Sequence, residues 1–225
     1  MMTESLLPPR RAPTDDRRAA IAKAARSLIV EKGVEGLRTR DIADRVGINI
    51  ATLHYHVPSK EALIELVADS LRHDFVQQSL DRPRSHLSVA ERLELEFVDV
   101  HEMTLEKPET MLVFSELLER GRRDETIAAA IRPMKYHWRQ MLVSLLTQGV
   151  SDGVYRPDMD AEAVAMIMIS SFVGFCRSPD RDQARFDRMV EELRRSIRNP
   201  ALDAPADLSN PAPTARLSGE PGLKE

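Results

Sequence analysis

Residues 39–57 read Thr39-Arg-Asp-Ile-Ala-Asp-Arg-Val-Gly47-Ile-Asn49-Ile-Ala-Thr-Leu-His-Tyr-His-Val57. Thr39 and Asn49 are N-cap residue types, and each precedes a short run with apolar residues at helical spacing. Gly47, between the runs, suits a turn that needs positive φ. Two short helices that cross steeply need a small residue at the crossing, a permissive turn residue and an apolar anchor. Ala43, Gly47 and Leu53 fill those roles, and Ile42, Val46, Ile48 and Val57 complete a small core. With Leu53 and Val57 turned inward, Ala51, Thr52, His54 and Tyr55 turn outward. Short or polar side chains on such a helix let it sit deeply in a major groove. A plain helical hairpin built around a glycine would carry the same spacing.

Working outward, Thr14 offers an N-cap with Asp15 and Asp16 in the following turn, and Ile21, Ala25, Leu28 and Ile29 continue at helical spacing to a stop at Gly33. Pro58-Ser59 opens a long fourth helix to about Leu80. Ser88 and Glu91 fit a capping box, and that helix should end before Pro108. Further helices are expected over Glu109–Arg120, Asp124–Ser151, Asp160–Cys176 and Asp182–Arg198, with Pro133 kinking or splitting the second of these. Residues 1–13 are expected to be a disordered arm, and residues 199–225, punctuated by five prolines, a disordered tail. No strand pattern or internal repeat is found. The expected fold class is all-α, with about nine helices. An N-terminal three-helix helix-turn-helix domain (14–75, recognition unit 39–57) joins a C-terminal helical ligand-binding and dimerisation bundle (76–198).

Nine glycines in 225 residues and 4% aromatics agree with a helical chain. The apolar run Ala163–Cys176 is too short for the ~20 residues of a spanning helix. No apolar leader is read at residues 1–13, and the single Cys176 leaves no internal disulfide, so a cytoplasmic protein with no membrane partner is expected. The net charge of −4 is unevenly spread: residues 1–60 carry 11 Lys and Arg against 7 Asp and Glu, and the remainder 21 against 29. A basic section on an acidic body suits contact with a polyanion at one end, although ordinary surface variation gives the same imbalance.

Thr39 to Asn49, followed by Ala51-Thr-Leu-His-Tyr-His-Val-Pro-Ser-Lys-Glu-Ala-Leu63, resembles the DNA-binding domain of TetR-type (tetracycline-repressor-like) regulators. The resemblance covers about residues 14–75, and its Thr-Leu-x-Tyr-His-x-x-x-Ser-Lys-Glu-x-Leu register is dense and gap-free. It implies phosphate contacts for Thr39, Tyr55 and Lys60, which fix register without reading sequence. It implies base contact for Arg40, with Ile50, Ala51 and Thr52 sharing specificity. His54 stands where the family usually has tyrosine, Asn49 where serine is usual and Val57 where phenylalanine is common. His54 is therefore either a DNA contact or a solvated surface residue. His54 and His56 point to different helix faces, which argues against a metal site.

The resemblance further implies a body with an effector pocket and a dimer bundle formed by the last two helices. Ala163, Ile167, Ser170 and Gly174 form a stripe of mostly small residues, and Phe186, Met189, Val190, Leu193 and Ile197 an apolar stripe on the last helix. Both are read as a homodimer interface, with the core of one chain as the alternative. Phe97, His101, Met103, Phe114, His137, Trp138 and Met141 are candidate pocket residues, or ordinary core. Met111 and Tyr136 lie in the same helices. The function read is a ligand-responsive transcriptional regulator: a homodimeric repressor on a palindromic double-stranded DNA operator, released by a small apolar or aromatic effector. An enzyme is disfavoured, since no metal-ligand spacing or phosphate loop appears and Cys176 lies in an apolar run. Glu91, Glu94 and Glu96 read as solvated faces. No cofactor and no metal are expected. A pure protein-interaction bundle is the remaining alternative, and it predicts no salt-dependent DNA affinity.

Overall fold

Nine α-helices account for most of residues 13–202, the part of the chain described by the computed structural model. The expectations for residues 1–12 and 203–225 lie outside the described residues. The helices are α1 (Pro13–Lys32), α2 (Thr39–Val46), α3 (Ile50–His56), α4 (Lys60–Asp81), α5 (Val89–His101), α6 (Glu109–Arg120), α7 (Glu125–Ser151), α8 (Ala161–Arg177) and α9 (Gln183–Ile197). The all-helical reading is met; outside the helices an isolated antiparallel bridge pairs Tyr155 with Arg198. No helix among the described residues is long and apolar enough to cross a membrane.

Helix starts follow side-chain caps where the sequence supplies them. Asn49, Ser59, Ser88, Asp124, Asp160 and Asp182 each accept a backbone N–H of the following turn. Such a cap is worth about 0.5–2 kcal/mol against alanine. Two expected caps are displaced. α1 already begins at Pro13, a residue suited to the first helical turn. Arg38 takes the cap position of α2 without a side-chain bond, so Thr39 is the first helical residue.

Pro133 does not split α7, which runs unbroken from Glu125 to Ser151. Both Pro133 and Ala129, whose carbonyl loses its helical donor, are exposed, so water can satisfy that carbonyl. Past His101, α5 widens into a π-helical turn, Glu102–Glu106, before Pro108. The Thr104 hydroxyl donates to the Val100 carbonyl at 2.8 Å inside this turn. Chain order persists past residue 198: Asn199 donates from Nδ2 to the Gly153 carbonyl at 2.7 Å, and Pro200–Leu202 form a 3-10 turn.

Two apolar clusters fill the interior. The first unites α1–α4 with the body: Ile21, Leu28, Ile42, Leu53, Ile64 and Leu71 pack in one cluster with Phe114, Leu117, Ile127 and Cys176. The second joins α5, α7, α8 and α9 through Phe97, Leu142, Leu146, Phe172, Phe186 and Val190. Trp138 is half-buried and touches both. Each such side chain contributes roughly 1.5–3 kcal/mol when fully buried. The first cluster runs straight across residue 75, the boundary expected from sequence.

Candidate nucleic-acid interface

Gly47 closes α2 in the left-handed conformation (φ 73°, ψ 38°), and its N–H reaches the carbonyls of Ala43 and Asp44. A Cβ there would meet nothing within 4 Å, so the demand for glycine is conformational. The Ile48 N–H then bonds the Ala43 carbonyl at 3.0 Å, and Asn49 Oδ1 accepts from Thr52 N–H at 2.7 Å to start α3. Ile42, Ala43, Leu53 and Val57 are all at most 3% exposed, with Val46 and Ile48 packed beside them. The expected packing of this two-helix unit is therefore present.

That packing turns one face of α3 to solvent. Ile50, Ala51, His54 and Tyr55 are exposed, Tyr55 at 81%, whereas Thr52 is half-buried against its Asn49 cap. Arg40, at the start of α2, is exposed, and among the described residues its guanidinium makes no ion pair. Two nearby cations are committed: Arg45 is held by Glu31 at 2.7 and 2.9 Å, and Lys32 by Asp41 at 2.6 Å. Thr39 is half-buried beside Arg40. Lys60, the first residue of α4, is exposed and lies 3.4 Å from Asp124, the cap of α7. His54 is exposed, whereas His56 is half-buried and its carbonyl accepts from Arg18 at 2.9 Å. Among the described residues no group of His, Cys, Asp or Glu could hold a metal.

The sequence did not disclose the joints between this unit and the body. Arg26, in the middle of α1 and 8% exposed, reaches Asp74 of α4 at 2.7 Å, Thr110 of α6 at 2.7 Å and Glu109 at 3.0 Å. Arg120, at the end of α6, pairs with Glu35. Long-range partners of this kind leave no periodic trace in the sequence; a charged residue on an otherwise apolar helix face was the available hint for Arg26.

The predicted pocket residues divide between the two clusters and the surface. Phe114 and Met103 belong to the first cluster and Phe97 to the second, Met141 packs on the second, His101 is half-buried and His137 is exposed. Phe97, Phe114 and Trp138 do converge, through Phe172, as a run of ring contacts at 6.2–6.3 Å. His101 packs edge-on against Phe186 and contacts Gln183. A groove of about 330 Å³ opens elsewhere, between Leu93, Glu94, Tyr155, Arg194 and Ile197, and none of the seven lines it.

Glu96 is not part of a solvated face. It is 6% exposed, accepts from Trp138 Nε1 at 2.8 Å and pairs with Arg84 at 3.1 Å. One turn on, buried Asp99 meets Arg82 and Arg84, and Glu102 meets Arg82 at 2.6 Å and Lys107 at 2.5 Å. The hydrogen bond from Lys107 and the Arg82 guanidinium hold the Glu102 carboxyl at about 2 against the opposing effect of burial. Burial in the apolar interior pushes the Cys176 thiol up to about 11, which leaves it an inert core residue.

The two interface stripes fare differently. On α8, Ile167, Ser170 and Gly174 are exposed, Ala163 is half-buried, and Met166 adds a further exposed apolar group at 62% that the sequence reading did not name. On α9, Phe186, Val190, Leu193 and Ile197 are 2–6% exposed within the chain's own second cluster. That stripe is spent on internal packing, with Met189 half-buried beside it, and the outward face of α9 is charged: Arg185, Asp187, Arg188, Glu191, Glu192 and Arg195.

Residues 21–67 match the family model described as bacterial regulatory proteins, tetR family. The chain is 30% identical over 151 residues to the HTH-type transcriptional repressor KstR2 of Mycolicibacterium smegmatis, covering 66% of this chain and 72% of that protein. It is 38% identical over 61 residues to the tetracycline repressor protein class D of Escherichia coli, 26% of this chain and 28% of that one. The structure of the ketosteroid transcriptional regulator KstR2 of Mycobacterium tuberculosis superposes with a TM-score of 0.65 at 22% identity, over 81% of this chain and 95% of that chain.

Proposed function

The chain belongs to the TetR family of bacterial regulatory proteins, and from that membership we propose that it represses transcription as a homodimer on a palindromic operator and is released by a small effector. It is a DNA-binding regulator and not an enzyme, as its repressor relatives are. The observation that carries the DNA reading is the exposed face of α3, with exposed Arg40, which makes no ion pair among the described residues, at the start of α2 and exposed Lys60, 3.4 Å from Asp124, at the start of α4. Arg40 would pair with a guanine edge, and Thr39, Tyr55 and Lys60 would meet phosphates. Ile50, Ala51 and Thr52 would add apolar and polar contacts to base edges, with His54 at the margin.

The exposed strip Met166, Ile167, Ser170 and Gly174 on α8 supports a two-fold interface, because small residues allow close helix approach and exposed Met and Ile gain from burial. A two-fold dimer would carry two α3 helices to half-sites one helical turn apart, about 34–36 Å. For the effector, an apolar or aromatic molecule is favoured by the ring contacts around Trp138, and the Mycobacterium tuberculosis neighbour is a ketosteroid regulator. Such a ligand would act by preferring a body conformation with a different separation of the two α3 helices.

The test is DNA binding by the full chain to the promoter region beside its own gene, followed by fluorescence anisotropy over a salt series. The triple variant Arg40→Ala/Tyr55→Ala/Lys60→Ala is expected to lose about a hundredfold or more in affinity, with the salt slope reduced by about one per lost phosphate charge. Unaltered affinity in that variant would overturn the assignment of these contacts.

A further inference from the structure

α1 buries its apolar face through Ile21, Ala25, Leu28 and Ile29, yet Arg26 is also 8% exposed. A guanidinium is kept in such a place only when its donors are met in good geometry. Here both terminal nitrogens are met by other helices, while buried Nε has ion-pair contact without a hydrogen bond. Nη1 donates to Asp74 Oδ2 of α4 at 2.7 Å, and Nη2 donates to Thr110 Oγ1 of α6 at 2.7 Å. The Thr110 hydroxyl in turn donates to Asp74 Oδ2 at 2.9 Å, which closes a ring of three side chains from three helices. Nε ion-pairs with Glu109 at 3.0 Å, at the first residue of α6. Because the guanidinium is a planar, rigid fork, this ring admits a narrow range of placements of α6 against α1 and α4.

α6 is marked off at both ends. Immediately before it lie the π-helical turn Glu102–Glu106 and Pro108, a break in regular helix of the kind that absorbs displacement. Its far end is tied to the DNA-binding part as well, through Arg120 and Glu35. A shift of α6 therefore has to be passed to α1 and α4 or break the ring.

We propose that Arg26 is a positioning residue that fixes the angle of the helix-turn-helix to the body, and so sets the half-site spacing the protein accepts on DNA. The proposal rests on the dimeric DNA-binding reading above. Arg26 touches no base or phosphate in this scheme. Its removal leaves the α3 face intact and loosens the joint behind it.

The decisive measurement uses the full chain and an operator selected by the wild type from random DNA, with its half-site spacer then lengthened or shortened by about one and two base pairs. The wild type is expected to show a sharp optimum in anisotropy titrations. Arg26→Met fills similar space without a buried charge, and Asp74 and Glu109 retain enough exposure to be hydrated (35% and 43%). This variant is expected to bind the optimal spacer about tenfold more weakly, and to keep its affinity within about twofold across the altered spacers. A merely structural arginine would lower the melting midpoint and leave the spacer profile sharp, and that result in a folded Arg26→Met overturns the proposal. If Arg26→Met fails to fold, Asp74→Asn, which is isosteric at a partly exposed position, must flatten the profile in the same way. An unchanged profile there also overturns it. A wild type with no preferred sequence or spacing refutes the DNA-binding reading instead, so the two failures are distinguishable.

Discussion

Asp124 performs two tasks that compete on one side chain. Oδ1 caps α7 by accepting from Thr126 and Ile127, and Oδ2 lies 3.4 Å from Lys60, the proposed phosphate ligand. Asparagine caps about as well as aspartate but carries no charge. Asp124→Asn is therefore expected to leave the fold unchanged and free Lys60, raising DNA affinity about two- to fivefold at low salt, since an exposed ion pair of this kind is weak. Anisotropy at low and high salt checks this, and a loss of affinity would contradict it. Glu102 offers a pH test. Its carboxyl is held at about 2, below its ordinary 4.5, first by Lys107 and then by Arg82 and Gln78. A group depressed in the folded state adds stability that is complete above its unfolded pKa and disappears as pH falls through the folded one. The loss thus lies between about 4.5 and about 2. Glu102→Gln should lower the melting midpoint near about pH 6 and make its further fall toward about pH 3 shallower than in the wild type. An identical pH dependence would remove Glu102 as the cause.

At the scale of elements, the α7–α8 connection shows how closely the helices are fitted. Gly149 lies under the ring of Tyr155, and a Cβ there would come within 2.1 Å of two ring carbons. Gly149→Ala is expected to cost about 1–3 kcal/mol in urea unfolding as the ring is forced aside. Adding Tyr155→Leu should recover part of that loss. No periodicity announced this contact, because a close approach between a helix glycine and a loop aromatic is a tertiary event. What periodicity did announce was every helix, since capping types such as Asn49, Ser88 and Asp160 sit directly ahead of apolar runs. The α3 face was legible for the same reason: burying Leu53 and Val57 dictates which neighbours face water. The α9 stripe could not be assigned from sequence. Phe186, Val190 and Leu193 are apolar at helical spacing whether they meet a second chain or their own α5 and α8. Glu96 was misread because its partners, Arg84 and Trp138, come from a loop and a helix remote in the sequence.

For the whole molecule, the proposed dimer puts the exposed α8 strip at its centre. Ile167→Glu, at a position already 52% exposed, should leave the monomer fold intact. It should also halve the sedimenting mass and weaken operator binding with it. A variant that still sediments as a dimer would move the interface away from α8. The first apolar cluster has another consequence. Because Ile21, Ile42 and Ile64 share one interior with Phe114, Leu117 and Ile127, the packing of the proposed operator-reading segment extends past residue 75. A graft of residues up to 75 onto an unrelated sensor would strip away the walls of α6 and α7 and leave their apolar counterparts bare. Recombination between relatives should therefore be tolerated only if the crossover carries α6 and the first turns of α7 along, so that the helix-turn-helix unit and the start of the body are inherited together.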